Sequence, residues 1–316
     1  MKPRTTAERI HAEYEKRPNR RSNRIGISTL GHECERKLWL DFRWAAQPER
    51  FDGRMRRLFD TGHREEARIV EDLRSIGCGV QDRDPETGEQ FEFTAPHGHV
   101  VGKLDGIIEN APESPGERLV LEVKTHNRKS FDRLREKGVE KAKPEHFGQC
   151  QLGASMAELS GTLYVAQCKD DDDLYSELVP LNRKKADALL EKGERVAFAE
   201  TMPDAVKSAS PDFPPCSWCH HRRFCHYSTS FAPVIPERTC RTCLHSTPER
   251  DGSWGCDKHS WVLDKERQEG GCESHLFRPD LLPFGDPIEW DFSRDFVVYP
   301  GMWVDSGRNL KKGGEE

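Results

Sequence analysis

Two carboxylates and a lysine are the side chains of this sequence best placed to do chemistry. In Arg118-Leu-Val-Leu-Glu-Val-Lys124, Leu119, Leu121 and Val123 alternate with Val120, Glu122 and Lys124. A period of two in aliphatic and β-branched residues predicts a strand. Residues two apart on a strand share a face at a spacing of about 6.6–6.8 Å, so Glu122 and Lys124 stand side by side. A second strand-like run over 99–109 contains Asp105, and the turn-rich segment 110–117 joins the two. Such a hairpin brings Asp105 beside Glu122. Phosphodiester hydrolysis needs a nucleophilic water, a stabiliser for charge on phosphorus and help for the leaving oxygen, and a divalent ion on carboxylates supplies all three. Mg²⁺ takes one or two carboxylates and keeps several waters. Asp105 and Glu122, with the Val123 carbonyl, are the expected ligands for Mg²⁺ or Mn²⁺, and Lys124 is expected to hold or polarise the attacking water. The bland alternative is a cross-strand salt bridge, since Glu35-Arg36-Lys37 has the same spacing with no partner acid.

The cysteines form two groups. Cys216-x2-Cys219-x5-Cys225 holds three thiols, and His220, His221 or His226 could complete a zinc site. Cys240-x2-Cys243-x12-Cys256-x15-Cys272 has the spacing of a small structural zinc module, with His259 and His275 as substitutes. Zinc binding would fold about 35 otherwise marginal residues there. Cys78, Cys150 and Cys168 read as ordinary buried thiols.

The elements that must position these groups alternate. Residues 1–24 are Arg-rich, a mobile lead or a short helix. Leu38, Trp39 and Phe42 mark a helix whose N-terminal end carries Cys34. Thr61 is expected to cap the next helix, whose stripe is Ile69, Val70, Leu73 and Ile76 and whose stop is Gly77. A third helix runs from Glu145 to Leu159 and carries Gln149 and Gln151. Strands follow over 161–168 and 174–180, and the acidic run 170–173 between them reads as a solvated loop. Asn182 caps a further helix through Val196, and 201–215 reads as a linker. The order implies a mixed α/β core with Cys-rich segments behind it.

Composition narrows the class. The chain has 316 residues, 33% of them charged, against a typical ~25%. Its net charge of −6 carries no global nucleic-acid signature. Residues 1–57, however, hold 15 Lys/Arg against 8 Asp/Glu, enough to guide a polyanion unless they form a solvated arm. No apolar run approaches the ~18 residues of a membrane span, and the first residues lack the apolar stretch of a signal peptide. A cytoplasmic protein with its 11 cysteines in a reducing compartment is expected. No phosphate-binding loop of an ATP motor occurs.

Gly102-x-x-Asp105-Gly106 followed by apolar-Glu122-x-Lys124 resembles the signature of the PD-(D/E)XK nucleases, in particular their RecB-like branch. The resemblance implies a restriction-endonuclease-like mixed sheet flanked by helices. It makes His63, in Gly62-His63-Arg64-Glu65-Glu66, a further metal ligand near the start of the second helix, though at a tighter Gly–His spacing than the branch shows. It also gives Gln149 or Gln151 a place at the site or on DNA. The tyrosine that follows four residues later in many members is absent, Gly153 and Ser155 standing there. Cys34 with Cys216, Cys219 and Cys225 resembles the iron–sulfur clasp of CRISPR-associated RecB-like and AddB-type nucleases, which implies a 4Fe–4S cluster on four thiolates. The implied layout is a basic lead at 1–23, a nuclease domain at 24–230, a zinc-ribbon-like module at 236–277 and a tail at 278–316 able to form a β-hairpin. The implied activity is Mg²⁺- or Mn²⁺-dependent cleavage of DNA, an exonuclease on ends or single strands in bacterial or phage recombination, repair or processing, with a recombination or helicase partner. Its rivals are an endonuclease of the same fold and a non-catalytic metal-stabilised scaffold.

Overall fold

In the computed structural model, residues 5–18, 21–226, 232, 234–307 and 309–312 are described. Parts of the expected segments lie outside these residues: 1–4 of the lead, 227–230 at the end of the nuclease segment and 313–316 of the tail. The centre is a five-stranded mixed sheet with order β2-β5-β6-β7-β8, made of β2 (Gly79–Gln81), β5 (Gly106–Ala111), β6 (Ser114–His126), β7 (Gly161–Cys168) and β8 (Leu174–Pro180). β6 and β7 are parallel and the other pairs antiparallel. A parallel pair needs a long crossover, here α5 (Arg128–Ala142) and α6 (Pro144–Met156).

The strand period separates two faces. Leu119, Leu121 and Val123 of β6 and Leu163 and Val165 of β7 pack with Ile69 and Val70 of α4 (Gly53–Ser75). Tyr164, Ala166 and Cys168 of β7 turn the other way and pack with Phe131, Leu134 and Val139 of α5 and Cys150 of α6. Each aliphatic side chain fully buried in these layers contributes about 1.5–3 kcal/mol. The run expected as one strand over 99–109 is broken at Leu104-Asp105. Its first half, β4 (Val100–Lys103), pairs instead with β1 (Ile25–Gly26) and β3 (Glu92–Thr94) in a separate three-stranded sheet. The break turns Asp105 out of regular pairing. The hairpin turn is tighter than expected, because β5 and β6 extend to Ala111 and from Ser114.

α4 departs most from expectation. It starts at Gly53, capped by Asp52, whose carboxylate accepts the Met55 N–H at 2.7 Å. Thr61 caps nothing: it lies inside the helix and its hydroxyl donates back to the Arg57 carbonyl. His63 is therefore mid-helix. The first turns of α4 face α1 (Thr6–Glu15), far from the aliphatic layer that holds its later turns. A Cβ on Gly53 would meet the His11 carbonyl at 2.2 Å, so the two helices cross at backbone contact. Of the basic residues after α1, Arg17 pairs with Asp60, Arg21 with Glu237 and Arg24 with Glu92, so much of their charge is met within the fold.

Two further helices agree with the sequence reading, whereas α5 has no counterpart in it. α3 (Glu35–Phe42) begins after Cys34, and α7 (Arg183–Phe198) is capped by Asn182, which accepts the Lys185 N–H. The 170–173 run is a loop tied to α5, with Asp171 on Arg128 and Asp173 on Arg135.

The C-terminal cysteine segment forms a three-stranded antiparallel sheet from β9 (Ser246–Pro248), β10 (Trp254–Cys256) and β11 (Trp261–Val262). It shares a core with the N-terminal elements, Trp254 and Leu263 packing with Trp39, Phe42 and Val100. Gly98 and Gly252, both at positive φ, meet so closely that a Cβ on Gly98 would lie 2.4 Å from the Gly252 Cα. The buried Arg241 donates to the Phe42 carbonyl at 2.8 Å, the Asn23 carbonyl at 2.9 Å and Gln268 Oε1 at 2.8 Å, with its guanidinium over Trp44. Behind this, the tail forms a four-stranded antiparallel sheet over 289–312, larger than a hairpin. No helix among the described residues is long and apolar enough to cross a membrane. Replacing Arg241 with Ala strips the buried Phe42 carbonyl, the part-buried Asn23 carbonyl and the buried Gln268 amide of their donor, so it is expected to lower stability by about 3 kcal/mol, measured by urea unfolding of the whole chain.

Candidate active site

The register of the β5–β6 hairpin sets the site. Gly106 pairs with Leu121, so Asp105, one residue earlier, faces the Glu122 position. Asp105 Oδ2 accepts the Val123 backbone N–H at 2.8 Å, replacing a ladder bond with a carboxylate. A side chain on Gly106 would bring its Cβ within 2.9 Å of the Gln81 carbonyl, so only glycine lets β5 begin there. Gln90 holds the same bend from outside by donating to the Leu104 carbonyl.

Glu122 is 1% exposed. Its Oε1 contacts Lys124 Nζ and its Oε2 accepts from Gln149 Nε2 at 2.9 Å. Burial, opposed by Lys124 and reinforced by the charges of Asp105 and Glu66, pushes the Glu122 carboxyl up to about 7. The same partners raise Lys124 above its ordinary value and keep it an ammonium, Glu122 and Asp105 outweighing its burial. Glu66 rises as well, by burial and then by Asp105. Three acids thus press on one another with Lys124 as the nearest cation, an arrangement that favours a further positive ion. That repulsion is the observation on which a divalent metal fits here.

His63 and Glu66 line one open cleft of about 410 Å³ with Asp105, Asp82 and Arg83. Glu66 is the residue that sequence reading missed. It stands three positions after His63, on the same side of α4, but its Arg-Glu-Glu setting has the look of a solvated face. The two glutamines separate: Gln149 reaches Glu122, whereas Gln151 donates to the Pro180 carbonyl at 3.0 Å and accepts the Asn182 N–H at 2.6 Å. Gln151 therefore joins the end of β8 to the start of α7 and makes no hydrogen bond to Glu122.

Cys34, Cys216, Cys219 and Cys225 line one cavity beside Arg36 and Lys37. Burial raises the Cys219 thiol, and it raises Cys225 to about 11. Four thiols on three separate elements, with two cations beside them, suit an anionic cluster. His220 and His221 are engaged elsewhere, with Nε2 atoms 3.0 and 2.8 Å from Asp41 Oδ1, while Lys37 holds Asp41 Oδ2 at 2.7 Å. These three residues, Asp41, His220 and His221, are the one group among those described whose potential ligand atoms all lie within 4.8 Å of one another.

Cys240 and Cys243 flank a single 3-10 turn, with the Cys243 N–H on the Cys240 carbonyl, which points two thiols to one side. Burial raises Cys240 to about 11 and Cys243 to about 12, and the thiols of Cys256 and Cys272 act on Cys240 electrostatically. His259 Nε2 lies 3.7 Å from Cys272 Sγ, while His275 is buried on the Thr239 carbonyl. All eleven cysteines are free thiols.

No protein-family model matches the chain, and no curated protein does. Solved structures similar to it include SSO0001, at 16% identity and a TM-score of 0.40, covering 71% of this chain and 95% of that one. Another is the alkaline exonuclease LHK-Exo from Laribacter hongkongensis, at 13% identity and 0.38, covering 61% and 96%. Its complex with dAMP gives 13% and 0.39, covering 60% and 90%. Likenesses this distant say nothing of the chemistry of this chain, which is argued from its own residues.

Two expectations come from this geometry. Gln151→Ala and Gln149→Ala should each destabilise the chain by about 1–3 kcal/mol in urea unfolding, the cost of orphaned buried groups, and only Gln149→Ala should also raise the titration of Glu122, whose Oε2 loses its donor. Because burial pushes the Glu122 carboxyl up to about 7 and a cation takes only its ionised form, any metal held by Glu122 would be taken up below pH 7 with release of a proton. The apparent Mn²⁺ affinity is expected to fall about tenfold per pH unit from 7 to 5, with proton release read by calorimetry in buffers of different ionisation heat.

Proposed function

We propose that this protein is a divalent-metal-dependent deoxyribonuclease of the PD-(D/E)XK type, acting as an exonuclease on DNA ends or single strands. The observation that carries the reading is the buried Glu122 carboxylate held between Lys124 and Gln149, with Asp105 across the hairpin. A salt bridge made for stability has no use for this burial, because surface pairing is cheaper and buried pairing gains little.

Asp105 and Glu122 are the metal ligands, with Glu66 and His63 on the cleft that Asp105 lines and the Val123 carbonyl as a further ligand. A bound Mg²⁺ or Mn²⁺ supplies charge for the phosphate and a water of lowered pKa. Lys124, kept as an ammonium, orients the attacking water by donating to it and offsets charge on the phosphate. Gln149 fixes the rotamer of Glu122 and so decides which carboxylate oxygen faces the cleft. Cys34, Cys216, Cys219 and Cys225 hold a 4Fe–4S cluster that ties α3 to the segment after α7. Cys240, Cys243, Cys256 and Cys272 hold a structural zinc. Both act on stability, and no step of hydrolysis passes through them.

Alanine at Glu122 or Lys124 should reduce cleavage of end-labelled DNA by about 10³-fold or more, with the visible absorption of the iron–sulfur protein unchanged. Retained cleavage in either variant sinks the reading. Digestion of linear DNA with closed circles spared is the outcome expected of an exonuclease; cutting of closed circles replaces it with an endonuclease.

A further inference from the structure

The face of β6 that carries Glu122 and Lys124 continues to His126, and Tyr164 of β7 stands in register with Glu122. α6 covers this face and places His146 three residues ahead of Gln149. These groups form a hydrogen-bonded chain that the proposed mechanism does not use. The fully buried Tyr164 hydroxyl lies 3.0 Å from His126 Nε2 and 2.8 Å from His146 Nδ1. His126 Nδ1 lies 3.2 Å from Ser130 Oγ, and Ser130 Oγ contacts Lys143 Nζ. The two imidazoles are stacked with centroids 5.7 Å apart.

One set of proton positions satisfies every member of the chain. An ammonium only donates, so Lys143 donates to one lone pair of the Ser130 oxygen, and in this set the hydroxyl proton of Ser130 turns to His126 Nδ1. A neutral imidazole that accepts at one nitrogen carries its proton on the other. His126 therefore donates from Nε2 to the Tyr164 oxygen, and Tyr164 donates its own proton to His146 Nδ1. His146 is left with its proton on Nε2. Burial, with Lys124 and Lys143 nearby, holds His126 down to about 4 and His146 to about 3, so both rings are neutral. Burial also raises the Tyr164 phenol, which keeps its proton.

His146 is half-buried, and Lys124 is the charged group that acts on it most strongly. We propose that His146 is a further substrate-contacting residue, whose Nε2–H donates to a non-bridging oxygen of the DNA phosphate held at Lys124. Tyr164, His126, Ser130 and Lys143 are positioning residues that keep this N–H outward. The inference rests on the nuclease reading and adds to it a neutral, oriented donor. Such a donor gains strength as charge builds on phosphate oxygen and loses no proton in the reaction.

The test is cleavage of end-labelled single-stranded DNA with Mn²⁺ by the full chain and the variants Glu122→Ala, His146→Ala, His146→Gln, Tyr164→Phe and His146→Gln with Tyr164→Phe. Gln carries an amide N–H near the place of Nε2 and needs no proton from Tyr164. His146→Ala should lower kcat about 100-fold, and His146→Gln should restore most of that loss. Tyr164→Phe should cost about tenfold in the wild-type background and nothing further in the double variant, where the amide is the donor. Equal cost of Tyr164→Phe in both backgrounds, or a wild-type rate in His146→Ala, overturns the inference while leaving the nuclease reading in place. If wild type and Glu122→Ala are equally inert, the nuclease reading itself falls and the phosphate contact falls with it. Histidine-selective ¹⁵N NMR reads the wire without any cleavage: the expected signal is an Nε2–H His146 that becomes a tautomer mixture in Tyr164→Phe. An Nδ1–H His146 in wild type overturns the chain as drawn.

Discussion

One carboxylate taken out of water constrains this molecule more than any other group. An ionised acid costs several kcal/mol to bury unless charge and hydrogen bonds meet it, and Glu122 is met from two directions, by Lys124 along its own strand and by Gln149 from the covering helix. Those two contacts require β6 to be an inner strand, α6 to lie across it in one rotation, and the hairpin register to place Asp105 opposite. A slip of one residue in that register would turn Glu122 and Lys124 to the α4 face, into the aliphatic layer of Leu119, Leu121 and Val123.

The packing around the site follows the same logic at longer range. α4 carries His63 and Glu66 to the cleft only because its later turns, through Ile69 and Val70, are anchored in that aliphatic layer. Its earlier turns are held by α1, through the backbone approach at Gly53 and the Glu15 carboxylate on the Gly53 N–H. The segment that reads as a basic lead is thus a brace for a site helix.

Legibility in the sequence divides by the range of the interaction. The hairpin, β7, β8 and α7 could be read because alternation and the Asn182 cap are local signals, complete within a few residues. The start of α4 was not read, because residues 53–62 pack on α1, far earlier in the chain, and their apolar residues Met55, Leu58 and Phe59 stand among charged ones. The break at Leu104-Asp105 was hidden in a strand-like run, since β4 pairs with β3 just before it and with β1, far away in sequence, and not with β6. Gln149 and Gln151 are equivalent as letters; only the rotation of α6 over β6 tells them apart. Glu66 was lost among charged neighbours for the same reason, its meaning being the carboxylate that it faces across the cleft.

The core shared between the two ends of the chain governs when the fold can close. By Pro180 every strand of the central sheet and every residue on the Glu122 face has been made, yet Trp39 and Phe42 still lack the Trp254 and Leu263 that cover them. Contacts of such sequence separation form late and slowly, and domains made from the N-terminus onward wait for their missing parts. A chain interrupted during synthesis therefore holds Asp105, Glu122, Lys124 and Gln149 beside an open, unfinished core. The segment around Trp254 and Leu263 thus seals the core that Trp39 and Phe42 begin.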